Sequence, residues 1–266
     1  MYKTEFEVAK KMAHVAGQMM LSAKDANYDV SMKCKNDYVS AIDLAIEKEL
    51  KAIIRCHFPD DQILGEEYGE EGENPRRWII DPIDGTTNFV HQIPFYCVSI
   101  AFEVDGVLEI GVIYAPENDE LFSAKKNKGA FLNEKAIQRS TKNTLDAALV
   151  ATGFVTNKQS ISLAENLALF NAITPNTRGI RRLGSAALDL AYIAAGRLDA
   201  FWEFDLCPWD IAAGILIVEE AGGKVTQVCG KSHHLLCDSI LATNFVIHDE
   251  FVIALKSERQ TVNEKP

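Results

Sequence analysis

The sequence lacks any long apolar run, and this absence excludes a bilayer-spanning protein. A transmembrane helix needs about 20 consecutive apolar residues, and none of the 266 residues belongs to such a stretch. The first eleven residues are charged and amphipathic, without the apolar core of a signal peptide. We therefore expect a cytoplasmic protein with no membrane partner.

Basic residues are also scarce relative to acidic ones. The chain has 27 Lys and Arg against 38 Asp and Glu, a formal net charge of −11. Proteins that bind DNA or RNA usually concentrate basic side chains in a patch or stripe, and no block of Lys and Arg is present. The charge balance therefore argues against a nucleic-acid partner.

Cysteines are few and scattered. They are Cys34, Cys56, Cys97, Cys207, Cys229 and Cys237. No two form a C-x-x-C pair, and the sequence gives no sign of secretion, so neither a zinc site nor a disulfide framework is indicated. We expect free, buried thiols.

What the sequence does contain is an ordinary globular composition, with 47% hydrophobic and 24% charged residues. Its length suits one large domain or two small ones packed together. The polar stretch 138–145 is the best internal boundary. It predicts an N-terminal α+β subdomain at 1–142 and a C-terminal α/β subdomain at 143–266.

Hydrophobic spacing predicts the layers of the fold. Apolar residues recur every three to four positions from Phe6 to Met20 and from Ile42 to Ile53, which predicts two amphipathic helices. Beyond them, Asp105-Gly106 separates two β-rich runs, as in a two-residue hairpin turn. After residue 145, strands and helices alternate. The predicted fold class is α/β, a layered α+β sandwich whose two halves meet edge-on with the site between them.

The strongest chemical signal is the segment Asp81-Pro82-Ile83-Asp84-Gly85-Thr86, which follows a short apolar run at 78–80. We expect that run to be a buried strand ending abruptly at Asp81. Phosphatases with an aspartyl nucleophile separate two acids by one residue before Gly-Thr, whereas this segment separates them by two. A covalent phospho-aspartate is therefore out of register. Carboxylates on such a turn can instead converge on hard cations.

This segment resembles the first signature of the inositol monophosphatase family, whose members are magnesium-dependent, lithium-sensitive phosphatases. Pro208-Trp209-Asp210 and the helix after it resemble the second signature, and Gly65-Glu66-Glu67 resembles a further element of the family. The similarity runs in order from about residue 5 to residue 243. It implies the αβαβα fold shared with fructose-1,6-bisphosphatase.

The resemblance also implies a set of metal ligands and catalytic groups. Up to three Mg²⁺ would be held by carboxylates and one backbone carbonyl, namely Glu66, Asp81, Ile83, Asp84 and Asp210. Thr86 and Glu66 would orient and deprotonate the attacking water, and Asp43 would hydrogen-bond the threonine. A charge argument is consistent with this, because several carboxylates in one cleft repel a phosphate dianion unless cations lie between them.

The substrate residues implied by the resemblance are Asp84, Gly85, Thr86, Arg181, Gly184, Ser185, Ala186, Glu203 and Asp210. Glu203 would accept hydrogen bonds from inositol hydroxyls, and Arg181 could reach the same ring or brace a partner subunit. Taken alone, Asp43 could be a helix-dipole partner and Glu203 a solvent-facing acid at a strand end.

The resulting functional hypothesis is Mg²⁺-dependent hydrolysis of a small phosphomonoester, with an inositol monophosphate as the leading substrate. Fructose 1,6-bisphosphate or NADP phosphatase activity stays open, as does a non-catalytic scaffold with the same fold. Lithium sensitivity and a homodimer are expected by analogy with the family.

Overall fold

The structure is a computed structural model that describes the backbone of residues 2–25, 30–34, 37–154 and 161–263. The side chains that it describes are those of residues 2–24, 41–154 and 162–256. Its helices are α1 (Lys3–Asp25), α2 (Ala41–His57), α3 (Thr86–Val90), α4 (Ile161–Ile173), α5 (Ala186–Ala194), α6 (Pro208–Glu220) and α7 (His248–Asn263). Its strands are β1 (Val30–Cys34), β2 (Asp37–Ser40), β3 (Gln62–Gly65), β4 (Gly69–Glu71), β5 (Arg76–Asp84), β6 (Cys97–Val104), β7 (Val107–Ala115), β8 (Glu120–Lys125), β9 (Ala130–Leu132), β10 (Lys135–Ile137), β11 (Leu149–Thr152), β12 (Gly179–Arg181), β13 (Ala200–Phe204), β14 (Lys224–Thr226) and β15 (Ser239–Thr243).

The larger sheet has the strand order β10-β9-β8-β7-β6-β5-β3-β4 and is antiparallel except where β3 pairs with β5. Both of its faces are covered. Successive side chains of a strand point to opposite faces, and in β5 the buried Trp78 and Ile80 pack with α1 and α2, whereas Ile79 packs with α5 and α6. Helices therefore lie on each side of this sheet.

The smaller sheet has the order β12-β11-β13-β15-β14 and closes the other half of the molecule. Phe201 faces the α5–α6 layer, while its neighbour Trp202 packs with residues of α4 and α7. From one side to the other the layers are α1 with α2, the larger sheet, α5 with α6, the smaller sheet, and α4 with α7. This αβαβα order confirms the predicted fold class.

Two expectations about the layers need correction. The halves do not meet edge-on, because α6 lies across the face of the larger sheet and contributes to a core shared with the smaller one. The strand after residue 78 does not stop at Asp81; β5 continues to Asp84 with an irregularity on the way. The predicted hairpin is confirmed, since Asp105 and Gly106 both have positive φ, 51° and 76°, as a type I′ turn requires.

The expectation of buried thiols holds only in part. Cys97 is fully buried, but Cys56 is exposed on α2, and Cys207, Cys229 and Cys237 are half-buried. All five are free; the side chain of Cys34 lies outside the described residues. Within the described ranges, the helices are each too short or too polar to cross a membrane.

Candidate active site

The parallel pairing of β3 with β5 places two candidate acids side by side. Gly65 lies opposite Ile80 in the sheet, so the residues that follow them, Glu66 just after β3 and Asp81 within β5, lie beside each other. Repulsion from Glu66 is among the causes that raise the pKa of Asp81. On the side of β5 away from β3, the neighbouring strand is β6.

A bulge in β5 turns Asp81 and Asp84 to the same side of the sheet. Residues three apart in a regular strand point to opposite faces. Here Asp81 pairs with Ser99 and Asp84 with Cys97, so three steps along β5 match two along β6. The extra residue in the Pro82-Ile83 segment brings the two carboxylates together.

The third acid comes from the first turn of α6. The Ser99 hydroxyl donates a hydrogen bond to the carbonyl of Trp209 at 3.0 Å, which fixes the start of α6 against β6. Asp210 Oδ2 accepts the backbone N–H of Cys207 at 2.7 Å. One carboxylate oxygen from each of Asp81, Asp84 and Asp210 lies within 4.8 Å of the others.

The electrostatics of these acids fit a bound cation. Burial, followed by repulsion from neighbouring acids, raises the pKa of Asp81 and of Asp210 well above the usual range. Burial also raises the pKa of Asp84 to about 6, although the Ser185 hydroxyl and the Ala187 N–H donate to its Oδ2 at 2.6 and 2.7 Å. Asp81 Oδ1 is buried and has no hydrogen-bond partner among the described residues. An oxygen-only donor set with this charge suits a hard divalent cation.

Asp43 and Glu47 lie one helical turn apart on α2 and face this edge of the larger sheet. Both are buried, with exposed fractions of 1% and 0%. The charge of Asp43 contributes to the raised pKa of Asp81. The carboxylate of Glu47 accepts the backbone N–H groups of Glu67 and Tyr68 at 2.7 and 3.0 Å, so it fixes the turn that carries Glu66. Glu47 was not predicted from the sequence, although an acid one turn after Asp43 within an apolar stripe is a recognisable signal.

Thr86 is the first residue of α3 and is separated from the end of β5 by Gly85. Its hydroxyl donates a hydrogen bond to the carbonyl of Ile83 at 3.0 Å, while Thr87 is exposed. Gly85 before it has φ 93°, and a Cβ there would lie 3.1 Å from the carbonyl oxygens of Gly184 and Phe95. Only glycine permits this backbone conformation so close to the 184–185 segment.

Asn88 of α3 ties the two halves of the site together. Its side-chain amide donates to the carbonyls of Phe95 and Leu183 at 2.7 and 2.8 Å. The buried Asn88 thereby holds the Gly184-Ser185 segment against the turn after β5. Its role does not follow from the sequence, because an Asn in a short helical segment is equally typical of a solvated turn.

A cavity of about 120 Å³ opens beside the triad. It is lined by Asp84, Gly153, Arg182, Gly184, Ser185, Ala186, Asp189, Glu203, Leu206 and Asp210. Most of the predicted substrate residues thus meet in one place. Burial raises the pKa of Glu203 to about 8, with Arg182 acting in the opposite direction and Asp84 in the same one. Gly153 lies against Glu203, and a Cβ at this glycine would overlap the Glu203 carboxylate.

Arg181 is the predicted substrate residue that the structure places elsewhere. Its side chain is exposed and its guanidinium donates to the carbonyl of Ile180 at 3.1 Å, whereas Arg182 lines the cavity. Arg181 is the last residue of β12, and consecutive residues of an extended chain point to opposite sides. The sequence analysis assigned no role to Arg182, and Arg181 as a substrate or subunit-bracing residue stays a prediction.

Comparisons with known proteins show the family of this chain. The inositol monophosphatase family model matches residues 1–261. The inositol-1-monophosphatase of Synechocystis is 41% identical over 261 residues, 97% of this chain and 91% of that protein. The Nus factor SuhB of Pseudomonas aeruginosa is 41% identical over 244 residues, 89% of this chain and 90% of that protein. The solved structure of inositol monophosphatase from Anabaena matches with a TM-score of 0.88; the two sequences are 40% identical, and the match covers 96% of each chain.

Proposed function

Because this chain belongs to the inositol monophosphatase family, we propose that it hydrolyses an inositol monophosphate to inositol and phosphate. The observation that carries the proposal is the junction of an oxygen-only acidic triad with a small cavity lined by Glu203. The triad suits cations that attract a phosphate group, and the cavity suits a hydroxyl-bearing leaving group. The family supplies the reaction class, a phosphatase.

Up to three Mg²⁺ would be held by Glu66, Asp81, Asp84, Asp210 and the carbonyl of Ile83. When bound, these ions supply Lewis-acid charge, which attracts the phosphate dianion and makes water more acidic. The carboxylates alone would repel that dianion. Burial, and after it the same repulsion among the acids, raises the pKa values of Asp81 and Asp210.

The chain's own groups orient the reactants. The Thr86 hydroxyl orients the attacking water and Glu66 accepts its proton. In the structure the Thr86 proton is donated to the Ile83 carbonyl; Asp43 would accept that proton instead when the carbonyl holds a cation. Water attacks phosphorus on the side opposite the ester oxygen, and the bond from phosphorus to that oxygen breaks without a phospho-enzyme. The departing alkoxide takes up one proton from solvent and leaves as the alcohol. The backbone N–H groups of Gly85 and Thr86 hold phosphate oxygens. Glu203 accepts hydrogen bonds from hydroxyls of the leaving group.

Lithium inhibition belongs to the same proposal. Li⁺ is close to Mg²⁺ in size but carries half its charge, so it can replace a weakly held cation and delay product release. The homodimer and the cytoplasmic location stay predictions from the sequence.

The test is phosphate release from a panel of esters with excess Mg²⁺, using Asp210→Asn as the inactive control. We expect inositol 1-phosphate to give the highest kcat/KM of a panel that includes fructose 1,6-bisphosphate and NADP. A higher value for either of those two would replace the proposed substrate while leaving the reaction class.

A second candidate is a non-catalytic role, because relatives as similar as the Pseudomonas protein are named Nus factors. Release at the rate of the Asp210→Asn control with every ester would favour that candidate. The complete set of acids at the site favours catalysis, since a purely structural role needs none of these repelling charges.

A further inference from the structure

Asp189 is a buried acid that the proposed mechanism does not use. It lies in the first turn of α5, a helix whose N-cap, Ser185, also donates to Asp84. Only 2% of its surface is exposed, yet it lines the cavity beside the triad. Its Oδ1 is buried and has no hydrogen-bond partner among the described residues.

Two buried carboxylates outside the candidate metal ligands are, in contrast, held by protein donors. Asp61 accepts from the side chains of Arg76 and Trp78, and Glu47 accepts two backbone N–H groups. A buried acceptor without a partner is destabilising. A ligand bound in the cavity would remove this cost if it donated a hydrogen bond to the unpartnered oxygen of Asp189.

The surroundings of Asp189 restrict what that ligand can be. Repulsion from Glu203 and Asp84 and attraction from Arg182 act on its carboxyl group. Two carboxylates on one wall accept hydrogen bonds from neighbouring hydroxyls and repel a second anionic group. The Arg182 guanidinium carries donors for a hydroxyl oxygen or a ring oxygen. The cavity therefore suits an uncharged polyol and disfavours an aryl or acidic leaving group.

From this geometry we propose that Asp189 is a second hydroxyl-binding carboxylate, which with Glu203 makes the cavity select esters of polyols. The inference rests on the proposed phosphatase function and specifies its substrate class. Glu203 and Asp189 each take a different hydroxyl of the same leaving group. Asp189 is a specificity residue, because it lies outside the triad that would hold the cations.

The experiment compares two esters on the full-length protein with saturating Mg²⁺. Inositol 1-phosphate offers the hydroxyls, and p-nitrophenyl phosphate offers none. The variants are Asp189→Leu, which removes the acceptor at similar volume, and Asp189→Asn, which keeps one acceptor oxygen. We expect Asp189→Leu to lower kcat/KM for inositol 1-phosphate by roughly tenfold to a hundredfold and to leave p-nitrophenyl phosphate within about twofold. Asp189→Asn should fall between Asp189→Leu and wild type.

A separate readout distinguishes recognition from folding. We expect the melting temperature of Asp189→Leu in EDTA to equal or exceed that of wild type, since a buried unpartnered carboxylate is removed. The losses from Asp189→Leu and Glu203→Ala should combine to less than their product in the double variant, because the two carboxylates interact and neighbouring residues are not energetically independent. Equal losses on both esters, or a lower melting temperature with such losses, would assign Asp189 to the scaffold and overturn the proposal.

The ratio of the wild-type kcat/KM values for the two esters tests the proposed function separately from the role of Asp189. If wild type prefers inositol 1-phosphate and Asp189→Leu keeps that preference, the inference about Asp189 is wrong and the proposed function stands. If wild type prefers another polyol phosphate, the inositol assignment is wrong, and the Asp189 variants are compared on that ester. If wild type prefers no polyol ester over p-nitrophenyl phosphate, both are overturned.

Discussion

Two groups of acids in the interior of this protein differ in how their carboxylates are partnered. The scaffold acids, Glu47, Asp61 and Asp199, each accept hydrogen bonds from at least two protein donors. The triad acids, Asp81, Asp84 and Asp210, lie within reach of one another, and the attraction of Arg182 for Asp84 is weaker than the effect of burial.

Asp84 shares properties of both groups. Its Oδ2 is held by Ser185 and Ala187, whereas its carboxylate still contributes an oxygen to the triad. Buried carboxylates without donors weaken the fold. The triad carboxylates therefore destabilise the protein without cations, and the proposed cations would offset that cost by neutralising their charge.

The largest expected effect is the loss of a triad charge. We expect Asp81→Asn to lower kcat by roughly a thousandfold or more, because a cation contributes several kcal/mol to catalysis and loses a ligand here. In EDTA the variant should melt at or above the wild-type temperature, since repulsion with Glu66, Asp84 and Asp210 is relieved. Phosphate release at saturating Mg²⁺ and thermal unfolding in EDTA are the measurements. Near-wild-type turnover would remove Asp81 from the site.

The next effect separates a hydroxyl inside the cleft from its exposed neighbour. Thr86→Ala should reduce kcat by about a hundredfold with a small change in KM, because a group that positions the attacking water matters mainly in the transition state. Thr87→Ala is the matched control, since Thr87 is exposed and follows it in α3. Steady-state kinetics on both variants decide the matter. If Thr87→Ala is the more damaging substitution, Thr86 does not orient the water.

A scaffold acid should show the reverse pattern. Asp61→Asn loses the ion pair with Arg76, 2.7 Å from its Nε, and weakens the hydrogen bond from the Trp78 indole. We expect a loss of about 2–3 kcal/mol in the free energy of unfolding, with kcat unchanged for the folded protein. Asp60→Asn, at the exposed neighbouring position, is the control and should change neither quantity. A fall in kcat with unchanged denaturant midpoint would contradict the division between scaffold and triad.

The sequence predicted the acids of the site better than their arrangement. Asp81, Asp84 and Asp210 stand in motifs whose residue types already indicate a cation site. Their convergence depends on the bulge in β5 and on the seating of α6 against β6, and neither follows from local spacing. The parallel pairing that brings Glu66 beside Asp81 joins strands that are separated along the chain by β4.

Positions whose role depends on the direction of a side chain were the least predictable. Asp189 reads as an ordinary first-turn acid of a helix, and only the cavity reveals its environment. The pair Arg181-Arg182 contains a cation for the site, but the end of β12 decides which residue faces it. The C-terminal helix α7 was also missed, because the sequence of its last turns is strongly polar, although Phe251, Val252 and Leu255 of its first turns pack against the smaller sheet.

Glu47 tests the distinction between scaffold acids and triad acids most closely, because it is a scaffold acid whose hydrogen bonds hold the backbone next to the site. Its carboxylate accepts the N–H groups of Glu67 and Tyr68, immediately after the candidate ligand Glu66. Glu47→Gln keeps the shape but turns an amide N–H₂ toward one of those donors, so the turn should shift slightly. We expect an approximately tenfold rise in the Mg²⁺ concentration needed for half-maximal activity, with a smaller change in kcat at saturating Mg²⁺.

Glu49→Gln, on the exposed side of the same helix, serves as the control for this last variant. Direct titration of Mg²⁺ by calorimetry gives a second measure that does not depend on turnover. If Glu47 only stabilises the fold, its variant should melt earlier while binding Mg²⁺ as tightly as wild type. If it positions Glu66, affinity should fall in the calorimeter and in the activity assay by the same factor, because both report the same displaced ligand.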